Sequence, residues 1–176
     1  DLGVELARGF EAAGADERAA DLFRRLVAVP TATLSVRLRA GRFFARIRDV
    51  EAARKQGEPI PEVDPASATG LFLRAEGLIA DGNLDEARTL LQRAVKADPD
   101  PQFLDGLGRA CEALAARTGD TARRDEALTA YVQASDLAPK MLNPRLGRGR
   151  LHMERNEHGK ALAAFQEALE LAPAEP

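Results

Sequence analysis

Five alanines, Ala19, Ala53, Ala87, Ala127 and Ala161, recur along the chain in steps of 34, 34, 40 and 34 residues. A period of that length is the mark of a helical-repeat array, and it constrains the fold more than any single motif. The context of these alanines recurs as well. Four positions on stand Phe23, Leu91, Tyr131 and Phe165, seven on stand Leu26, Ala94, Ala134 and Ala168, and twelve on stand Pro65, Pro99, Pro139 and Pro173. An apolar stripe at helical spacing that ends in proline reads as a helix brought to a stop, because the proline ring disfavours helical geometry in the residue before it.

The same logic divides the chain. In 68–100 a first helix over about 68–80 carries Leu71, Ala75 and Leu78, and Asp81-Gly82-Asn83 makes a turn. A second helix over about 84–97 then carries Leu84, Ala87, Leu91 and Ala94, before Asp98-Pro99. The segment 142–176 repeats this pattern, with Asn143-Pro144 at the start, Gly149 as the small residue, a turn at Asn156–Gly159, and Ala161, Phe165 and Ala168 following. The segment 101–141 is a longer version, with Leu104, Leu107, Gly108 and Cys111 on its first helix and Thr121 as the cap of its second. The segment 1–33 fits more loosely, as a degenerate hairpin with Ala7 and Phe10 before a Gly14 turn. In 34–67 two readings stand side by side: one long helix over about 32–56 followed by a proline-rich loop, or a degenerate hairpin. Arg48-Asp49-Val50 offers no ordinary turn residue, and Gly57-Glu58-Pro59-Ile60-Pro61 would break a second helix.

These residues and spacings resemble the tetratricopeptide repeat (TPR) family. The resemblance implies an all-α, right-handed α-solenoid of antiparallel helical hairpins, four to five repeats long. Arg74, and Arg145 and Arg148, depart from the family pattern by standing where apolar residues are usual. The resemblance further implies a protein–protein interaction scaffold or adaptor, whose first helices line a concave groove that holds a partner peptide or helix. One groove position follows the small residue of each first helix, and here it is filled by Arg8, Arg42, Glu76, Arg109 and Arg150. The family's clamp for a C-terminal carboxylate uses Asn at such positions, and its absence disfavours that mode.

Planar guanidinium forks suit carboxylates. Arg39, Arg42 and Arg46 stack on one helical face without an acidic neighbour, and 37–55 holds seven basic residues against Asp49 and Glu51, 7 − 2 = +5. Phe72 and Ile79 add an apolar spot, so the matching partner segment mixes acidic and apolar residues. Against this stands the plainer reading of solvated surface pairs: Arg8 with Glu11, Arg109 with Glu112, Arg150 with Glu154.

Composition narrows the remainder. With 25 basic and 28 acidic residues there is no whole-chain attraction for polyanions, and nucleic acid is a poor match because the basic patch lacks interleaved exposed aromatics. The bias to Arg and Ala suits a GC-rich bacterial genome. The single Cys111 excludes an internal disulfide, and it reads, like His152, as a core residue. The two histidines lie six apart across a turn, which is not metal-ligand spacing. No phosphate loop or acid–base pair is legible, so neither catalysis nor a cofactor is expected. No stretch reaches membrane-spanning length. A soluble chain, cytoplasmic rather than periplasmic, is the default, and both ends read as cut from a longer protein. Two alternatives remain. Leu162, Leu169 and Leu171 form an outer face that could drive self-assembly into a homo-oligomer. The chain could also recruit substrates for a larger enzyme.

Overall fold

The computed structural model describes residues 2–58 and 67–171. Among these residues there are ten α-helices: α1 (Leu2–Ala12), α2 (Asp16–Ala28), α3 (Leu34–Arg46), α4 (Val50–Gly57), α5 (Ala68–Ala80), α6 (Leu84–Ala97), α7 (Pro101–Thr118), α8 (Thr121–Leu137), α9 (Leu142–Glu154) and α10 (His158–Leu171). The chain forms two compact units, 1–81 and 82–176, so the helices of the expected 68–100 repeat fall in different units. Each unit is described by itself.

In the first unit, α1 pairs with α2 and α3 with α4, while α5 packs on both α3 and α4. The turns show how the sequence permits this. Gly14 closes the first hairpin at φ 70°, in the left-handed region that glycine enters without a Cβ penalty. The second hairpin closes at Arg48, φ 64°, a conformation that costs a non-glycine residue. The next residue holds it there: Asp49 accepts a hydrogen bond from the Ala52 amide at 3.2 Å and so caps α4. Over the described part of this segment the chain forms two helices, α3 and α4, and not one continuous helix. Of the breaker sequence, Gly57 closes α4 and Glu58 caps it; residues 59–66, with Pro65, lie outside the described residues, as does Pro173.

The core of the first unit is aromatic. Phe23, Phe43 and Phe44 meet with ring centroids 5.0–6.4 Å apart, in tilted and edge-on contacts that favour opposite ends of the ring quadrupoles. Arg74, the departure in α5, points to solvent, and the core position is taken by its neighbour Leu73, fully buried against Gly41 and Gly57.

The second unit stacks α6 on α7, α7 on α8, α8 on α9 and α9 on α10, with α7 also touching α9. Two of its helices, α7 and α8, begin on side-chain caps, whereas Asn83 before α6 makes no such bond. Asp100 accepts from the Gln102 amide, and Asp120, rather than Thr121, accepts from that of Ala122, each at 2.8 Å. α9 begins at Leu142 rather than at Asn143-Pro144 and has no side-chain cap. Gly119 (φ 75°) and Asn156 (φ 58°) supply the left-handed turns.

Tyr131 and Leu91 are wholly buried, whereas Phe165 is half-buried with its ring over Gly149. The departures Arg145 and Arg148 are accommodated because Glu167 of α10 pairs with both, at 3.6 and 3.3 Å, while Arg145 also donates to the Met141 carbonyl. Cys111 is a buried free thiol whose pKa burial raises to about 12. His152 is buried, with Nδ1 2.6 Å from a Glu157 carboxylate oxygen, and the bond fixes the ring where the turn begins.

Candidate interaction surface

Helix geometry sorts the basic segment of the first unit before any contact is measured. At about 100° per residue, Arg39, Arg42 and Arg46 of α3 fall within a ~60° arc, while Arg37 and Phe44, seven apart, share the opposite face. The structure follows this division. Arg46 donates to Asp16 at 2.7 Å and to Glu11 at 3.2 Å, with its guanidinium 5.1 Å from the centre of the Phe43 ring. Arg39 lies 3.6 Å from the same Glu11. Burial opposes the charge of Arg46, but hydrogen bonds and charge from Asp16 and then Glu11 outweigh it and raise its pKa.

Arg39 and Arg46 therefore do have acidic neighbours, contrary to the sequence reading: the carboxylates come from α1 and from the start of α2, not from their own helix. Arg42 is half-buried on the same face and is itself engaged. Arg8 is exposed and pairs with Glu5 at 3.0 Å, because Glu11 is committed to α3.

Two other members of the expected groove do not reach the surface. Phe72 and Glu76 are each 2% exposed, so neither offers a side chain to an incoming partner. Only Ile79 of the expected apolar spot stays half-exposed. Phe72 lies on the buried side of α5 together with Leu71, Leu73 and Ala75, which leaves α5 without the one-sided stripe that the sequence pattern suggests.

In the second unit the first-helix face is built by α7 and α9. Arg109 donates to Asp105, one turn earlier, at 3.3 Å. Arg150 of α9 grips Glu112 of α7 through two bonds, Nε at 2.7 Å and Nη2 at 2.9 Å. The buried Tyr131 hydroxyl donates to the same carboxylate at 2.6 Å. That hydrogen bond from Arg150 to Glu112 is the largest cause of an upward shift in the Arg150 pKa, so the guanidinium stays charged. The sequence pairs Arg109–Glu112 and Arg150–Glu154 do not form; Glu154 instead accepts from Arg124 at 3.1 Å.

On the second-helix side, Glu126 of α8 gathers Arg88 and Gln92 of α6 and Arg123 of α8, at 2.7–3.1 Å. Desolvation would raise the Glu126 pKa, but the bonds from Arg88, Arg123 and Gln92 lower it. Among the described residues no group of three or more His, Cys, Asp or Glu is placed to hold a metal ion, and no helix is long and apolar enough to cross a membrane.

Known proteins share this architecture. A family model described as tetratricopeptide repeat matches residues 35–101, 72–123 and 119–176. No curated protein sequence matches the chain. Among solved structures, a thermophilic TPR protein of Thermus thermophilus, TTC0263, superposes with a TM-score of 0.72 at 22% identity, over 99% of this chain and 92% of that one. A crystal structure of MamA gives 0.60 at 17% identity, over 97% and 94%. MamA 41-end from Desulfovibrio magneticus RS-1 gives 0.59 at 18% identity, over 97% and 93%. Likeness at such identities is likeness of fold, whereas the family model covers most of the sequence itself. The chain belongs to the tetratricopeptide-repeat family of protein-interaction scaffolds.

Proposed function

We propose that the chain is an adaptor that holds a peptide or helix of a partner protein against the first-helix face of its repeats, and that the partner segment mixes acidic and apolar residues. The observation that carries this reading is Arg150. Its side chain is 51% exposed, yet two hydrogen bonds to Glu112, from Nε and Nη2, fix its plane. A guanidinium held in this way loses little rotamer freedom when a carboxylate approaches, which lowers the ordering cost of binding. Leu146 and the exposed Met153, one turn to either side on α9, supply apolar contact.

Placing a photo-crosslinking residue at Met153, and separately at Leu162 on α10, tests the face. A partner crosslinked from 153 and not from 162, through a peptide containing Asp or Glu, supports the reading. Crosslinks from 162 alone, or equally from both, defeat it.

A second reading is self-association. Leu162 and Leu169, seven apart on α10, are 59% and 74% exposed and form an apolar face that a second copy could cover. Sedimentation equilibrium over a concentration series decides it, since a monomer at high concentration is incompatible with this reading.

A further inference from the structure

The face of α3 opposite to Arg39, Arg42 and Arg46 carries Arg37 and the buried Phe44 but is not fully covered. There α2, α3 and α4 leave between them a cleft of about 290 Å³, walled by Val27 and Ala28 of α2, Phe44 of α3 and Ala52 of α4. Three cations, Arg24, Arg37 and Lys55, and the buried amide of Gln56 complete the lining. Arg37 donates to the Gln56 amide oxygen at 3.3 Å, which ties it across to α4. Arg24 lies 5.6 Å from the centre of the Phe44 ring and pairs with Asp49 at 2.9 Å. Asp49 is the only carboxylate that the described residues bring to these three cations; neither Arg37 nor Lys55 has a described carboxylate within ion-pair distance. The local balance is therefore 3 − 1 = +2, on a chain whose net charge is −3.

We infer that this cleft is a second binding site, separate from the first-helix face, which takes a partner-protein segment in which a carboxylate side chain stands next to an aliphatic one. Charge complementarity sets the acidic half of that ligand. Arg37 is held by Gln56 and Arg24 by the Phe44 ring and Asp49, so two of the three cations are placed before any ligand arrives. The walls of Val27, Ala28, Phe44 and Ala52 set the other half: apolar surface beside fixed charge suits an aliphatic side chain flanked by an acid better than a hydrated anion alone. The site does not depend on the first-helix reading, because it shares no residue with that face.

The test is a ¹H–¹⁵N NMR titration of the whole chain with a blocked pentapeptide alternating Glu and Leu, the same peptide with Gln for Glu, and inorganic phosphate, all at constant ionic strength. The expected result is saturable shifts of the amides of Arg24, Val27, Arg37, Ala52 and Lys55 with the Glu peptide, and roughly tenfold weaker binding of the Gln peptide. Lys55→Glu, an exposed position, should weaken the Glu peptide by at least about tenfold with the rest of the spectrum unchanged. Lys55→Gln with Arg37→Gln should do the same, its dispersed spectrum serving as the folding control. Arg150→Gln should leave binding at the cleft unaltered, so failure of either site is read separately.

Three outcomes overturn the inference. Shifts could spread over arginines throughout the chain, binding could be insensitive to Lys55→Glu, or phosphate could saturate the same amides as tightly as the peptide, which would make the cleft a simple oxyanion site.

Discussion

Tyr131 gives the sharpest test of how the second unit is held together. Its ring passes between two helices where neither has a side chain. A Cβ added at Gly147 of α9 would lie 2.4 Å from Cε2 and 2.5 Å from Cζ, and one added at Gly108 of α7 would lie 2.5 Å from Cε1. The ring cannot retreat from one glycine without meeting the other, and its hydroxyl is anchored on Glu112. Gly147→Ala must therefore move a buried ring or a helix by about 1 Å to reach ordinary contact, an overpacking that costs about 1–3 kcal/mol. The helix-propensity gain of Ala over Gly, about 0.5–1 kcal/mol, works the other way, so the net loss is about 0–2.5 kcal/mol.

Two companions isolate the packing part. Gly159→Ala, in the first turn of α10 with nothing within 4 Å, should be neutral or stabilise by up to about 1 kcal/mol. In a Tyr131→Leu background, Gly147→Ala should lose its penalty, giving a coupling of about 1–3 kcal/mol. Urea unfolding followed by far-UV circular dichroism measures all five proteins, wild type included. Tyr131, the only tyrosine in a chain without tryptophan, provides an independent fluorescence probe of this unit wherever it is retained. A Gly147→Ala protein more stable than wild type, or a coupling under about 0.5 kcal/mol, would show that the ring is not wedged and that the argument from the glycines is wrong.

Two further outcomes rest on the charged and thiol groups of the same unit. The Glu126 pKa is lowered in the folded state, so its stabilisation is present above the ordinary carboxylate range and is lost as pH falls through the folded value. Glu126→Gln should then cost about 1–2 kcal/mol near neutral pH, and the difference should vanish in acid; urea midpoints measured from pH 7 to pH 3 check this, and a constant difference would refute it. The Cys111 pKa, raised from 9.0 to about 12, leaves about a thousandfold less thiolate than an ordinary cysteine. A chromogenic disulfide reagent at pH 8 should therefore label it only after unfolding, and equal rates in buffer and in urea would place the thiol outside the core.

The helices that sequence pattern locates best are those whose ends are marked by residue type. α5 and α6 run over 68–80 and 84–97, as the Asp81-Gly82-Asn83 turn and Asp98-Pro99 require. The α3–α4 turn is ambiguous in the sequence because Arg48 occupies a left-handed conformation that its residue type does not advertise. A usable signal is present in Asp49, three residues before Ala52, in the position of a helix cap. Ion pairs are hidden for a related reason. Sequence shows partners three or four residues away, but Arg150 reaches Glu112 and Arg88 reaches Glu126, each 38 residues off, and Arg46 reaches Glu11, 35 off. These separations are close to one repeat. In a stacked array, side chains one repeat apart are spatial neighbours, so complementary charges at the repeat spacing are the cue to follow.

That rule changes what an arginine stripe means in a protein of this family. When successive repeats alternate guanidinium and carboxylate, as Arg150 and Glu112 do across α9 and α7, the stripe is a ladder that ties helices together, and its charge is spent inside the molecule. Such a surface can still orient a ligand, because fixed guanidinium groups keep unused donors, but it contributes little long-range attraction. Attraction that weakens with salt requires uncompensated charge. In the first unit that charge lies not on the conspicuous Arg39, Arg42 and Arg46 face, where Glu11 and Asp16 answer it, but in the cleft of Arg24, Arg37 and Lys55, where one carboxylate faces three cations. A partner that binds only the first-helix face should show a shallow salt dependence, and one that also enters the cleft a steep one.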